Sequence, residues 1–280
     1  MSAARVTPAR VAPPHRAAGV SSAVLRRAGV FLGTVVFILV VWQALLVVTG
    51  VSPFVAKSPA DVWAFLWTDG EAALNRAQVL DGLLVTAHDA GIGYVAGLGG
   101  AAVIATLFAL FPALSTAFMP VAMVLRTFPL VALTPLIVLA FGRGVAGLAA
   151  IGFIVVFFSA LVTISFGIAG ASRQALDVVA VFGGGRWAGV FKVGLPSALP
   201  AFFTAARLAI PQSLSAALIA EWLITGTGAG SQLMRAAGTS QYVALWSTAA
   251  VFIFATTIVY TLVTTLEELV LARFGGRETP

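Results

Sequence analysis

The sequence predicts an all-helical protein that crosses a membrane several times. Of its 280 residues, 60% are hydrophobic and only 9% are charged, whereas soluble domains carry about 25% charged residues. Four stretches contain no charged residue: 28–56, 90–125, 144–172 and 236–266. Each is longer than the roughly 20 apolar residues that a membrane-spanning helix needs. A membrane β-barrel would alternate polar and apolar residues in segments of about ten, and the sequence has no such pattern.

Composition excludes several kinds of site. The chain has no cysteine, which excludes disulfides, thiolate metal sites and cysteine nucleophiles. Its two histidines, His15 and His88, do not have the spacing of metal ligands. The net charge of +6 reflects scarce acids rather than a basic cluster, so no nucleic-acid partner is expected. The glycine-rich stretch 226–231 lacks the lysine of a phosphate-binding loop, so we expect no ATP or other cofactor on this chain.

The first 27 residues are rich in Ala, Pro and Arg, have no hydrophobic periodicity, and are expected to be a disordered tail. The apolar run that follows Arg26 and Arg27 continues to Val51. A cleavable signal peptide has an apolar core of only about 7–15 residues. This run is therefore predicted to be a retained first helix.

The apolar stretches and the charged breaks between them predict six spans. Their approximate positions are 29–50, 86–111, 116–141, 145–171, 197–225 and 243–270. The stretch 52–74 is predicted to be an extramembrane loop with a short amphipathic helix, and a second short helix is predicted near 230–238. The membrane domain extends over 28–274 in this interpretation, and 275–280 form a short tail.

Six spans place both termini on one side of the membrane, and the distribution of Lys and Arg indicates which side. With cytoplasmic termini, ten of the 16 cationic residues lie in inner segments and four in outer segments, while Arg126 and Arg207 lie within spans. Cationic residues concentrate on the cytoplasmic side of membrane proteins. The sequence therefore predicts cytoplasmic termini, and it places the segment between the fourth and fifth spans on the same side.

That segment includes the polar island 177–200, which reads DVVAVFGGGRWAGVFKVGLPSALP. Asp177 and the apolar residues after it can form about two helical turns, which three glycines then end. Pro196 suits the first turn of the next helix, because its missing N–H is not needed there. Helix connections usually have 2–8 residues whereas this one has about 25, so a short cytoplasmic helix is favoured over a plain loop.

The spacing within the island resembles the E-A-A-x3-G-x9-I-x-L-P loop of the inner-membrane permeases of bacterial ABC importers. The matching residues are Asp177, Val178, Val179, Gly183, Val193, Leu195 and Pro196. Every spacing agrees, but Asp replaces Glu, and Val replaces both Ala and the Ile. In that family the loop forms a coupling helix that docks in a cleft of the cytoplasmic ATPase. The resemblance implies this role for 172–196, which also contains Val181, Phe182 and Arg186.

Further similarity extends from about residue 53 to residue 274. The segments 58–62, 125–142 and 206–222 resemble one branch of these permeases, which serves nitrate, alkanesulfonates, taurine and some pyrimidine vitamin precursors. The resemblance implies a type I permease in the bacterial inner membrane, acting as a homodimer with an ATPase dimer and an extracytoplasmic solute-binding protein. It implies no enzymatic activity of this chain, because the partner subunit binds ATP.

Three charged residues within the predicted spans are candidates for the translocation pathway, because charges there usually face a cavity or the bundle interior. Arg126 either meets the solute or reaches the inner surface, since it lies about 15 Å into its span. Arg207 has no carboxylate within reach on its own helix, which leaves it for the solute unless headgroups or another helix pair with it. Glu221 is expected near the outer end of its span, at the membrane interface or as a gate.

The third predicted span contains Pro120, Pro129 and Pro135. Broken membrane helices are tolerated where they line a cavity or pack on protein, so Pro129 and Pro135 are further pathway candidates. The two arginines favour an anionic solute such as a sulfonate or nitrate, with a neutral pyrimidine precursor as the alternative. An ion-coupled secondary transporter is disfavoured, because the sequence has no internal repeat and no acid in the middle of a span.

Overall fold

The computed structural model describes residues 20–274, which form two units that divide after Pro59. In the first unit, helix α1 (Val20–Thr49) is followed by a loop in which Lys57 Nζ donates to the Pro53 carbonyl at 2.7 Å. The helix begins nine residues earlier than the predicted first span, so the prediction of disorder is wrong for residues 20–27. The rest of that predicted tail, and the predicted tail at 275–280, lie outside the described residues.

The second unit is built from helices joined by short turns, and no strand occurs in the range that the structure describes. Its helices are α2 (beginning at the unit boundary, Pro59–Trp63), α3 (Ala72–Leu110), α4 (Pro112–Leu125), α5 (Leu130–Phe141), α6 (Val145–Ala169), α7 (Arg173–Val181), α8 (Arg186–Gly189), α9 (Leu195–Ser197), α10 (Leu199–Ala220), α11 (Gly228–Gly238) and α12 (Tyr242–Phe274). Three π-helical turns continue α2, α8 and α10 at Ala64–Thr68, Val190–Gly194 and Glu221–Thr225.

Helices α3, α6 and α10 form the core of this unit, and small residues let them approach closely. A Cβ atom on Gly93 would lie 2.6 Å from the Cα of Gly152, and one on Gly97 would lie 2.7 Å from the Cβ of Val156. Small residues at helix contacts are typical of membrane bundles, in which packing replaces the hydrophobic effect as the driving force. The core therefore fixes α6 and α10 side by side, and α10 carries the pathway candidate Arg207.

Five helices are long and apolar enough to cross a membrane: Leu32–Thr49, Ala72–Leu110, Val145–Ala169, Leu199–Thr225 and Tyr242–Ala272. This confirms an all-helical membrane protein. The predicted third span, 116–141, is instead two shorter apolar helices, α4 and α5. Proline has no N–H and disfavours helical backbone in the residue before it. Pro129 accordingly adopts an extended conformation and breaks the helix (φ −68°, ψ 115°).

Candidate functional site

Helix α7 carries the first half of the predicted coupling segment and is closed at both ends. Ser172 Oγ accepts a hydrogen bond from the Ala175 N–H at 3.4 Å, which is a helix N-cap. After the last turn, Gly183 has φ +79°, and the Gly184 N–H donates to the Val179 carbonyl at 2.8 Å. A left-handed glycine at this position is a common helix end. The prediction of a short helix stopped by glycines is confirmed.

Gly183 and Gly184 are required for different reasons. A Cβ atom on Gly183 would meet nothing within 4 Å, so only its positive φ favours glycine there. A Cβ atom on Gly184 would collide with the side chain of Val179 and lie 2.8 Å from its carbonyl oxygen. The turn after α7 therefore depends on backbone conformation at one glycine and on space at the next.

The coupling segment exposes large apolar side chains, which we call the docking patch: Val178, Val181, Phe182, Trp187 and Phe191. Val181 and Phe182 are the most exposed, at 84% and 85%. Trp187 and Phe191 stack with their ring centroids 6.0 Å apart. Contiguous exposed apolar surface on a protein marks an interaction site. The charged residues Asp177 and Arg186 of the same segment are also exposed.

The second half of the segment is attached to the bundle. Val190 and Gly194 are buried at the two ends of their π-helical turn, and a Cβ atom on Gly194 would lie 3.2 Å from Cγ2 of Ile168 on α6. Leu195 is half-buried. Pro196 occupies the first turn of α9, as predicted. The segment therefore joins an exposed apolar helix to a buried contact with a spanning helix.

Arg126 lies at the break between α4 and α5, where it is exposed and caps the C-terminal end of α4. Because α4 begins at Pro112, the 14 residues before Arg126 span about 21 Å of helix. This is farther from the start of the helix than the 15 Å expected from the sequence. Within residues 20–274, Arg126 forms no ion pair or hydrogen bond through its side chain. It lines an open cavity instead.

That cavity has a volume of about 770 Å³ and lies against the faces of α6 and α10. Its walls are largely apolar, and its polar side chains, besides Arg126, are Ser159, Thr163, Gln212 and Ser215. The other predicted pathway residues do not line it: Pro129, Pro135, Arg207 and Glu221. Sequence reasoning missed the polar group on α6 and α10. The available signal was the four-residue spacing of Ser159 and Thr163 within an otherwise apolar helix.

Arg207 has a partner that its own helix does not provide. Its Nη1 atom donates to Oε2 of Glu267 on α12 at 3.0 Å, and the two side chains are 28% and 11% exposed. This ion pair joins α10 to α12. Of the alternatives that the sequence leaves open for Arg207, this contact favours a partner on another helix, and that carboxylate lies 60 residues later in the chain. Of the two arginines in the predicted spans, Arg126 alone keeps an uncompensated charge among the described residues.

Glu221 is fully buried, with 0% of its surface exposed, and it lies directly after the last residue of α10. Its Oε2 atom accepts hydrogen bonds from Thr86 Oγ1 at 2.9 Å and from the Gly230 N–H at 2.8 Å. Thr86 Oγ1 in turn accepts from the Ala229 N–H at 3.0 Å. We call these four residues the Glu221 cluster. It ties α3 and α11 to the end of α10.

Two glycines make room for the Glu221 cluster. A Cβ atom on Gly228, whose φ is +73°, would collide with the Glu221 carboxyl group. A Cβ atom on Gly230 would collide with the Leu218 carbonyl group. The stretch 226–231 therefore leaves the space that the buried Glu221 carboxylate occupies, because larger residues at Gly228 and Gly230 would collide with their surroundings. Oε1 of Glu221 has no hydrogen-bond partner among the described residues.

Long apolar helices around an open cavity are the features expected of a membrane transporter. Residues 93–275 match the family described as the inner membrane component of binding-protein-dependent transport systems. The match covers more than half of the chain, which therefore belongs to this family. It is the permease subunit of an ABC importer and a multi-pass protein of the inner membrane.

Curated relatives agree with this assignment. A probable ABC transporter permease protein of Haemophilus influenzae is 26% identical over 71% of this chain and 79% of its own length. The riboflavin transport system permease protein RibX of Chloroflexus aurantiacus is 26% identical over 84% and 87%. The formylaminopyrimidine transport permease protein ThiX of Halalkalibacterium halodurans is 30% identical over 40% and 44%. The predicted permease role is confirmed, and it is a transport role rather than a catalytic one.

Proposed function

We propose that this permease is driven by a cytoplasmic ATPase dimer that docks on α7, and that its solute passes through the cavity at Arg126. The exposure of Val181 and Phe182 carries the first half of the proposal. Nothing within the helix itself covers these two apolar side chains. Their burial by a partner would be favourable, which indicates that a partner covers them. The match of this helix to the coupling motif supports the ATPase as that partner.

The proposed assembly has two copies of this chain, with a solute-binding protein on the outer side. Helices α4 and α5, with 14 and 12 residues, together extend about 39 Å, which is enough to cross the roughly 30 Å hydrocarbon layer once. Counting them as one broken span gives six spans, which places both termini on one side, and the distribution of Lys and Arg favours the cytoplasmic side. The docking patch is then on the same side as the ATPase.

In this proposal, ATP binding closes the ATPase dimer and moves α7. The movement reaches the bundle through the attached half of the segment, where Val190 and Gly194 are buried and Gly194 lies against Ile168 of α6. Helix α6 also carries Ser159 and Thr163 of the cavity wall. A ligand or partner shifts such a two-state element only through different contacts in the two states. The contacts of the docking patch would supply that difference.

Reconstitution tests the transport role. Liposomes that contain the permease, its ATPase and its binding protein should accumulate solute only with ATP on the ATPase side. Omission of the ATPase should abolish uptake and leave the permease folded. Uptake that follows a proton or sodium gradient without the ATPase would contradict the proposal and favour an ion-coupled transporter.

Thiol labelling tests the orientation, because the native chain has no cysteine. Gln174 on α7 and Thr239 after α11 are both exposed, and each can carry a single cysteine. In intact cells, an impermeant maleimide should label Thr239→Cys and spare Gln174→Cys. Labelling of Gln174→Cys alone would indicate the opposite orientation, with α7 on the outer side.

For the solute, we propose a small nitrogen heterocycle rather than nitrate, taurine or another sulfonate. Two of the relatives are permeases for riboflavin and for a formylaminopyrimidine by name, and both compounds are nitrogen heterocycles. The argument for an anion rested on two arginines, and Arg207 is compensated by Glu267. Purification of the cognate binding protein with its ligand, followed by mass spectrometry, tests the class directly. A bound sulfonate or nitrate would overturn it.

Arg126→Gln provides a second test of the solute charge. If Arg126 were the counter-charge of an anion in a low-dielectric pathway, its loss should lower uptake strongly. For a neutral heterocycle we expect uptake to fall less than about threefold, a change below 1 kcal/mol. The ATPase should still co-purify with this variant, because Arg126 is remote from the docking patch in sequence and lies at the α4–α5 break.

A further inference from the structure

Apart from Arg126 at the α4–α5 break, the polar side chains of the cavity lie on α6 and α10, which form one wall. Ser159 and Thr163 lie on α6, and Gln212 and Ser215 lie on α10. The apolar lining includes Leu133, Ile154 and Ile219. Ligand sites usually combine such apolar walls with a few polar groups that fix orientation. This wall therefore has the composition of a recognition site.

Gln212 is the residue of this wall whose hydrogen-bonding capacity is least satisfied. Its Nε2 atom donates to Ser159 Oγ at 3.4 Å, which is a long hydrogen bond. Its Oε1 atom is buried and has no partner among the described residues. A buried polar atom without a partner is unfavourable, because it has lost its hydrogen bonds to water and gained none in exchange. Such an atom beside a cavity calls for a functional explanation.

The other polar residues of the wall do not fill this role. Thr163 Oγ1 donates to the Ser159 carbonyl at 3.0 Å, so its hydroxyl is already engaged within α6. Ser215 is exposed. No side-chain donor from the described part of the chain therefore reaches Oε1 of Gln212, and Gln212 itself lines the cavity.

The chemistry of an amide indicates what such a solute would present. A glutamine side chain offers both a carbonyl acceptor and an N–H donor, and it carries no charge. Its best partner is an uncharged edge that also combines a donor with an acceptor. A compact anion such as nitrate or a sulfonate has acceptors only, and it would leave Oε1 facing negative charge.

We propose that Gln212, positioned by Ser159, is a specificity-determining contact for the solute and reads an uncharged donor–acceptor edge, such as a ring N–H beside a carbonyl. This inference rests on the proposed function, since it requires the cavity to be the pathway. A site built to hydrogen-bond a solute group rejects analogues that lack the group, because its own polar atoms are then left unpaired. Gln212 would thus select among heterocycles and against anions.

The test uses the full transporter in liposomes with its ATPase and binding protein, offered formylaminopyrimidine, riboflavin and taurine in turn. The wild type should take up a heterocycle. Gln212→Leu should lower that uptake about tenfold, which corresponds to one lost hydrogen bond of about 1.4 kcal/mol. Binding-protein-stimulated ATP hydrolysis should stay within about twofold of the wild type, a change below 1 kcal/mol. Gln232→Leu on α11, which does not line the cavity, is the matched control and should transport normally.

If Gln212→Leu assembles poorly, Ser159→Ala carries the test, because it removes one hydroxyl and leaves the amide in place. We expect it to lower heterocycle uptake about threefold at normal ATPase co-purification, as befits a partial loss of one hydrogen bond. Wild-type uptake by both assembled variants would overturn the inference, as would uptake of taurine alone by the wild type. If the wild type showed no ATP-stimulated uptake of any of the solutes, the proposed function would be refuted instead.

Discussion

The docking patch exposes apolar side chains that proteins usually bury, whereas the Glu221 cluster buries a carboxylate that proteins usually expose. The patch leaves Val181 and Phe182 at 84% and 85% exposure, whereas the cluster removes the Glu221 carboxylate from all contact with solvent. Apolar side chains gain free energy only when something covers them, while a buried carboxylate must find hydrogen-bond donors inside the chain. Oε2 of Glu221 finds its donors within this subunit, whereas we propose that another subunit covers the patch.

This contrast separates two kinds of mutational effect. Damage to the Glu221 cluster should lower the stability of the isolated permease, because the cluster holds α3, α10 and α11 together. Damage to the docking patch should leave the isolated permease as stable as before and weaken its assembly with the ATPase. Four substitutions test the contrast, in order of decreasing free-energy change.

Gly230→Ala should have the largest effect, because its Cβ would lie 2.8 Å from the Leu218 Cα, and backbone cannot move away cheaply. We expect a loss of about 3 kcal/mol in stability, the cost of strong overpacking, measured by thermal unfolding in detergent. Gly238→Ala on the same helix is the control, since its Cβ would meet nothing within 4 Å. Equal unfolding temperatures for the two variants would show that the close packing of α11 is unimportant.

Glu221→Ala should destabilise the permease by about 2.5 kcal/mol, because it removes the acceptor of the buried Gly230 N–H and one of the two acceptors within reach of the Thr86 hydroxyl, the other being the Gly82 carbonyl. Thermal unfolding of the purified subunit measures this loss. Glu221→Gln keeps a carbonyl oxygen at the same place and should lose less than half as much. An alanine variant as stable as the wild type would mean that the cluster does not hold α11.

Phe182→Asp should weaken ATPase binding by about 2 kcal/mol, or roughly 30-fold, as expected for a central apolar contact of an interface. Its own unfolding temperature should not change, because Phe182 is exposed in the isolated subunit. Binding is measured by titration of the purified ATPase onto the permease. Phe54→Asp, at a loop residue that is 62% exposed, is the control and should bind normally. If Phe182→Asp lowered the stability of the permease and left ATPase binding unchanged, the docking patch would not be the binding surface.

Gly183→Val should have the smallest effect, about 1 kcal/mol, because Val must adopt the positive φ of this glycine. The strain alters the turn that ends α7, so ATPase affinity should fall roughly fivefold. Gly183→Asn should bind almost as well as the wild type, since Asn tolerates left-handed backbone. Equal binding by the Val and Asn variants would indicate that the turn geometry does not matter.

Local features of the fold could be predicted from the sequence. The end of α7 follows from the glycines after Phe182, and the start of α9 follows from Pro196, because both depend on neighbouring residues alone. The third span shows the limit of this approach. It contains three prolines. Pro120 and Pro135 lie inside helices, whereas Pro129 lies where the helix is interrupted between α4 and α5. A sequence shows which N–H groups are missing but not which kink the surrounding helices accept.

Contacts between distant residues could not be predicted. Glu221 stands out in the sequence as an acid at the end of an apolar span, but its partner Thr86 lies 135 residues earlier in the chain. Arg207 is matched by Glu267 across a 60-residue separation. Gln212 was overlooked because a single amide in a helix is unremarkable until the cavity beside it is known. In each case the deciding information is the packing of one helix against another.

The contact between α7 and the ATPase is the central claim, and site-specific cross-linking tests it most directly. Val181→Cys would carry the single thiol of a chain that has no native cysteine, at a position that is 84% exposed. A thiol-attached photo-crosslinker there should give a covalent permease–ATPase product, and the same probe on Thr239→Cys should not. The account would be contradicted if Val181→Cys gave products with lipid or the binding protein alone, or if Thr239→Cys captured the ATPase equally well.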